Sequence, residues 1–308
     1  MKKTHALLGL VLFTYIGLMT GQSFAQNILI DDTFGPENSV TRPDNIKGSP
    51  GTLIEGGARR GTNIFHSFES FNIQPDQRVY FSNPSNVNLI LTRITGSSSS
   101  SLLGTIGVLG DADLFIMNPN GISFGRQFAL DLNGSFLGTT ATNFIFPDGT
   151  LFSSHPSESS TLLSIKTPIG LTIESSNASI VNQAQILSVK TGNSLALIGG
   201  QIKLEGSIID APQGTIEITG ISQGTVNIQP IDKGWAFDYS SILLFEDIDI
   251  DQSLALVIDV GPDGPIFFPT LIMANGQESN VHIQGRNISF MNGSQVQGTG
   301  GNINVVAS

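Results

Sequence analysis

The amino-acid sequence predicts an all-β chain wound as a parallel β-helix, and three observations carry that prediction. Past residue 26 helical periodicity is hard to find, whereas short alternating or aliphatic runs bounded by Gly, Asn, Asp and Ser recur almost everywhere. In the central stretch Ile106, Leu114, Ile122 and Leu130 stand eight residues apart, each opening a run: "IGV", "LFIM", "ISF" and "LDL". That spacing fits strands of about five residues with three-residue corners. Third, "DLFIMNPNGISFG" at 113–125 sets two such runs across a four-residue corner. Asn118 suits position i of a type I turn, Pro119 has φ preset for i+1, and Gly121 suits i+3.

A sandwich or barrel would need antiparallel hairpins, which favour two-residue Asn-Gly or Asp-Gly loops. A type I corner splays such a hairpin, so it redirects the chain instead, as a coil whose strands pair one rung later requires. At roughly 20 to 25 residues per rung, about a dozen rungs are expected, in a rod some 60 Å long at about 4.8 Å per rung.

Taken in order, Lys2-Lys3, the apolar stretch Ala6 to Met19 and Ser23-Phe24-Ala25 read residues 1–25 as a secretory signal peptide. The apolar run is short of the roughly 20 residues a membrane span needs. Strands are predicted at Asn27–Ile30, Arg78–Phe81, Asn88–Ile94, Thr215–Thr219, Thr225–Ile228, Val281–Gln284 and Ile303–Val306. Residues 26 to about 150 hold most of the aromatics, as a compact, capped start would. "SSHPSESS" at 153–160 is a polar break, a loop or an excursion from the coil. From Thr161 the runs are more aliphatic, with glycines at the bends, and read as regular coil. No long linker interrupts the chain, which favours one continuous domain.

The chain of 308 residues is 39% apolar and 13% charged, which disfavours disorder. Its formal charge of -11 becomes -13 once Lys2 and Lys3 leave with the signal, a surface that repels nucleic acid and anionic lipid. An exported chain without cysteine must draw its stability from size and repetition rather than disulfides.

Few motifs suggest chemistry. "GISFG" matches G-x-S-x-G, but a nucleophile elbow opens a helix, and the following Phe128–Leu132 reads as a strand, with Ser123 facing solvent. "EDIDID" puts Asp247, Asp249 and Asp251 on one strand face and Ile248 and Ile250 on the other. Those carboxylates could take calcium, but no glycine-rich calcium repeat accompanies them and a solvated face suffices. His66, His155 and His282 lack metal-ligand spacing, and His66 in "NIFHSFESF" fits the edge of a phenylalanine-rich core. Arg59-Arg60 reads as a solvated turn. The N-x-S matches at Asn133, Asn177, Asn287 and Asn292 are expected by chance in a chain this rich in Ser and Asn. A carbohydrate-active β-helix enzyme, a polysaccharide lyase or hydrolase, is the alternative function, but its paired carboxylates are not marked out. No cofactor is called for.

"LGTIGVLGDADLFIMNPNGISFG", with "LTRITG" upstream and "LNGSFLGTT" downstream, closely resembles the secretion domain of filamentous haemagglutinin-like exoproteins, the passengers of two-partner secretion. "GTNIFHSFESFNI" and "VYFSNPSN" are similar to its early rungs, and "LALIGGQIKLEGSIIDAPQGTIEI" to its later coils. The resemblance implies a single-stranded right-handed parallel β-helix of the pectin lyase-like type with a capped N-terminal end. It assigns residues 26–160 to the secretion domain and 161–308 to continuing coils. It further implies a non-enzymatic exoprotein, an adhesin toward a host or surface polysaccharide or protein. Such a protein is exported by the Sec machinery and signal peptidase, then through an outer-membrane barrel transporter whose periplasmic domains recognise the N-terminal segment. Its place would be secreted or cell-surface, by way of the periplasm. Asn118, Pro119, Asn120, Gly121 and Ile122, with Asn83 and Pro84, carry the expected secretion motif. For Asn118 and Asn120, bonds within the corner and presentation to the transporter both remain open. The second Asn-Pro-Asn tetrad is here Asn83-Pro84-Ser85-Asn86, where the turn is kept but one asparagine is not. The stop at Ser308 in a strand-like run without a cap leads us to expect a truncated or split member.

Overall fold

The computed structural model describes residues 28–156, 163–174, 178–232, 234–251 and 270–308, with the backbone of Leu256–Asp259 and Pro265–Phe268. The signal region 1–25, Ser157 to Ser160 and Asn177 lie outside the described residues. Each coil visits three faces in turn. The first face stacks Asn63–Phe71, Leu89–Ile94, Asp113–Met117, Phe136–Thr139, Ser194–Gly199, the start of Thr215–Pro230, Asn280–Gly285 and Asn302–Ala307, every pair parallel. The second face stacks Ser100–Leu102, Ile122–Phe124, Ser179–Asn182, Gln201–Glu205, Ile248–Asp251 and Ile288–Phe290, again all parallel. The third runs in two blocks, from Ser49–Gly56 to Ala129–Asp131 and from Ile186–Ser188 to Gln295–Thr299. The expected parallel β-helix is therefore the fold.

The N-terminal end is capped, as expected, by antiparallel strands that hide the open sheet edges. Ile28–Ile30 and Ala58–Arg60 both pair with Asn63–Phe71, and Ser39–Ile46 folds back on Ser49–Gly56. Lys47 (φ 52°) and Gly48 (φ 80°) both take positive φ in that two-residue loop, as a type I′ hairpin demands.

Two departures shorten the stack below the expected dozen rungs. Leu114 meets Phe136 after 22 residues, but 59 separate Phe136 from its next partner Leu195, and 65 separate Thr215 from Asn280. Described residues from both intervals leave the coil. Leu151–Ser153, Asn143–Ile145, Gly170–Ile173, the second half of Thr215–Pro230 and Trp235–Asp238 form an antiparallel lateral sheet. The predicted strand at Thr225–Ile228 exists, but it belongs to this sheet. The aliphatic stretch from Thr161 is thus not uninterrupted coil, because apolar residues suit a strand whether it pairs one rung later or folds aside.

The lateral sheet gives the first face two buried sides. Ile64, Phe68, Ile90, Leu114, Ile116, Leu195 and Leu197 point into the lumen of the coil. Phe65, Leu91, Phe115, Met117, Ala196 and Ile198 point outward and pack beneath Phe144, Phe152, Leu171, Val226 and Trp235. Strands buried on both faces need unbroken apolar runs rather than alternation, which explains "DLFIM" and "SLALIG". Residues on both sides of position 160 share this second core.

Candidate functional site

The Asn118 corner joins the first face to the second. Gly121 N–H donates to the Asn118 carbonyl at 3.1 Å, closing the turn, and Gly121 sits at φ +113°. A side chain there would meet the Ser179 carbonyl at 2.9 Å, so glycine is required on two counts. Asn118 is fully buried, and its amide is used completely. Nδ2 donates to the Ser98 carbonyl (3.1 Å) and to Ser100 Oγ (3.0 Å), while Oδ1 accepts the Asn120 backbone N–H at 3.0 Å. Asn120 is exposed and donates Nδ2 to the Gly96 carbonyl at 2.8 Å. The two asparagines thus clamp this corner onto the same corner of the preceding coil. Ile122 then turns into the lumen between Ser100 and Ile180.

Asn83 and Pro84 lie elsewhere, at the corner between the third face and the first. Asn83 Oδ1 accepts Ala112 N–H at 2.9 Å from the next coil, and Nδ2 donates to the Val87 carbonyl at 3.0 Å. Val87 N–H closes the turn on Pro84 at 3.2 Å, and Asn86 takes φ 64°. The turn is kept, as the sequence suggested. Arg59, from the capping strand, donates to the Ser85 carbonyl at 2.8 Å. The fold places the two halves of the expected motif at different corners and gives both the same task, which is to fasten one coil to its neighbour.

The remaining candidates have structural settings. Ser123 stands on a strand between Ser101 and Val181, with no helix after it. Ile248 and Ile250 are buried while the three aspartates face out, as predicted. The Arg286 guanidinium holds the Asp247 carboxyl down to about 2, through contacts of 2.9 and 2.8 Å. Asp249 and Asp251 accept from Gln201 and Asn292. His66 is buried against Phe68 and Phe81 with Nδ1 on Ser39 Oγ at 2.8 Å. Burial pushes it down to about 3. Among the described residues no three acidic or histidine side chains gather where they could hold a metal ion.

Sequence reasoning missed the polar groups buried on the outer side of the first face. Arg93 in "LTRITG" is fully buried, its guanidinium carbon beside the stacked rings of Phe34 and Phe152 at 5.1 and 4.7 Å. It donates to Ser67 Oγ (2.7 Å) and the Ser153 carbonyl (2.6 Å), and Ser67 in turn donates to Asp31 (2.6 Å). Desolvation pulls the guanidinium down to about 10, against the pull of Asp31. One charge inside an aliphatic run was the available signal. Glu217 gave none, since "TIEIT" alternates as a half-solvated strand would.

The family model for the TPS secretion domain, the domain of two-partner secretion, matches residues 31–268. The chain belongs to the two-partner secretion family. As a member it is an exoprotein with an outer-membrane transporter as partner, and it is secreted or surface-associated. The resemblance read from the motifs is borne out. Among solved structures, the HMW1 secretion domain from Haemophilus influenzae aligns over 88% of this chain and 82% of its own, at 17% identity and TM-score 0.49. The filamentous hemagglutinin secretion domain aligns over 87% of this chain and 99% of its own, at 15% identity and TM-score 0.45. No curated protein matches the chain closely enough to mark a relative.

Proposed function

We propose that this member of the family is a non-enzymatic surface adhesin, exported by the Sec machinery with loss of residues 1–25 to signal peptidase. It then passes through a barrel transporter whose periplasmic domains read the Asn118–Ile122 corner together with Asn83 and Pro84. The family match over residues 31–268 carries this reading. The fold supplies a physical driving force for the second step, because each strand emerging outside finds a parallel edge already formed and adds to it. No chemical reaction is required.

Recognition has to precede folding for Asn118, whose amide is spent inside the folded corner. Pro119, Asn120 and Pro84 keep a surface in both states. Co-expression with the transporter separates the roles. Asn118→Ala should destabilise the purified protein by about 1–3 kcal/mol, the cost of orphaned buried partners. Asn120→Ala should change stability by less than about 1 kcal/mol, yet lower the secreted fraction several-fold. Unchanged secretion of both Asn120→Ala and Pro119→Ala would reject transporter reading of the corner. Incubation with acidic polysaccharides should release no cleavage products; release would favour the carbohydrate-active enzyme instead.

A further inference from the structure

The lateral sheet ends at Trp235–Asp238, while the stack beneath it continues through Asn280–Gly285 and Asn302–Ala307. A groove of about 520 Å³ opens where the overhang stops. Its floor is made of outward side chains from two successive coils, paired rung to rung. Asn302 Nδ2 donates to Asn280 Oδ1 at 3.2 Å, and Asn304 Nδ2 meets His282 Nδ1 at 3.1 Å. Its wall is a stack of rings, Phe237 on Tyr239 (6.5 Å, 16°) and Tyr239 on His282 (5.5 Å, 10°). At the back, Glu217 accepts the Tyr239 hydroxyl at 3.2 Å. A second hollow of about 510 Å³ shares Asn280 and extends the groove to Asp232 and Glu278.

We propose that this groove binds a neutral oligosaccharide. Sugar hydroxyls need donors and acceptors together, and primary amides present both, with bonding capacity left over after each rung-to-rung bond. The apolar faces of pyranose rings need aromatic surface, which half-buried Phe237 and His282 provide at the two ends of the stack, with buried Tyr239 between them. Outward positions repeat at about 6.6 Å along a strand and about 4.8 Å between coils, an array suited to a ligand that itself repeats. Asp232, Asp238 and Glu278 line the groove, and their negative charge disfavours an anionic glycan. A basic peptide would satisfy those carboxylates but leave the amide pairs and rings without counterparts.

The inference rests on the adhesin reading for its biological sense, though its test does not. The purified full chain is titrated with neutral hexasaccharides (maltohexaose, cellohexaose, mannohexaose, xylohexaose), with hexagalacturonate and with hexalysine. Binding is followed by calorimetry and by fluorescence of Trp235, the single tryptophan, which lies on the groove's overhanging strand. At least one neutral hexasaccharide should bind saturably. Asn302→Ala and Asn304→Ala, both at exposed positions, should weaken it at least about fivefold with the unfolding midpoint unchanged. Three results would each overturn the proposal: no neutral hexasaccharide binding up to about 10 mM, binding indifferent to both variants, or binding of hexalysine in their place. Adhesion of the chain to cells with no saccharide bound defeats the groove and leaves the adhesin reading standing. Saccharide binding without adhesion does the reverse.

Discussion

Burial pushes the Glu217 carboxyl up to about 8, offset only in part by the hydroxyl of Tyr239. In the unfolded chain that carboxyl releases its proton near 4.5, so between the two values the folded state holds a proton that the unfolded state does not. Stability from this group is therefore complete below pH 4.5 and is lost as pH rises toward 8, by a few kcal/mol. Glu217→Gln keeps the shape and the acceptor for Tyr239 while removing the titration. It should be the more stable protein at pH 8 and close to the parent at pH 4.5, measured by urea unfolding at both. His66 runs the other way. Buried neutral with a value near 3, against 6.5 when unfolded, it costs stability as pH falls from 6.5 to 3. His66→Gln should flatten that acid limb, whatever it does to stability at pH 7. Between pH 4.5 and 6.5 the two contributions run in opposite directions and largely cancel.

At the scale of elements, the lateral sheet is fastened to the coil by a few large contacts. Trp235 lies edge-on over Phe115 at 4.8 Å and donates Nε1 to Asp113 at 2.8 Å. Desolvation raises the Asp113 carboxyl, and the Ser135 N–H and Trp235 bonds work against that. Trp235→Ala should cost about 3–5 kcal/mol, and Trp235→Phe about 1–3 kcal/mol for the stranded carboxylate. Amide exchange in either variant should quicken first in Trp235–Asp238 and then in Asp113–Met117 beneath it. Corners impose a second rule. A side chain at Gly200 would come within 2.0 Å of the Ala178 carbonyl in the coil below, so Gly200→Ala should separate two rungs and destabilise the protein although the position is not lumenal.

For the whole molecule, cooperativity follows from the two cores. The lumen is continuous from Ile28 to Ile283, and the outer core draws residues from Ala58 to Phe245. A chain ending at residue 160 would leave Phe65, Leu91 and Phe115 without Leu171, Val226 and Trp235 above them. Such a chain is expected to aggregate or stay unfolded, while one ending after Asp251 should unfold in a single urea transition. Two separate transitions in the full chain would refute the shared core as the unit of stability. A chain emerging N-terminus first is expected to close this outer core only once Trp235–Asp238 is outside.

What the amino-acid order determined alone was the local grammar. Strand periodicity, the Asn118 corner and the outward aspartates of "EDIDID" each depend on neighbours within a few residues, and all three stand in the structure as read. Motif order likewise named the family, because the spacing of corners is itself a linear property. Tertiary structure alone decided which coils are covered, and with that the fates of Arg93, Glu217 and Tyr239. Alternation in a strand says that two faces exist but not what lies over each. The lateral sheet brings residues 143–153, 170–173, 224–230 and 235–238 over strands as early as residue 63, and no local pattern encodes a contact across that separation. The sites that perturb charge or open a groove arise where that cover begins and ends.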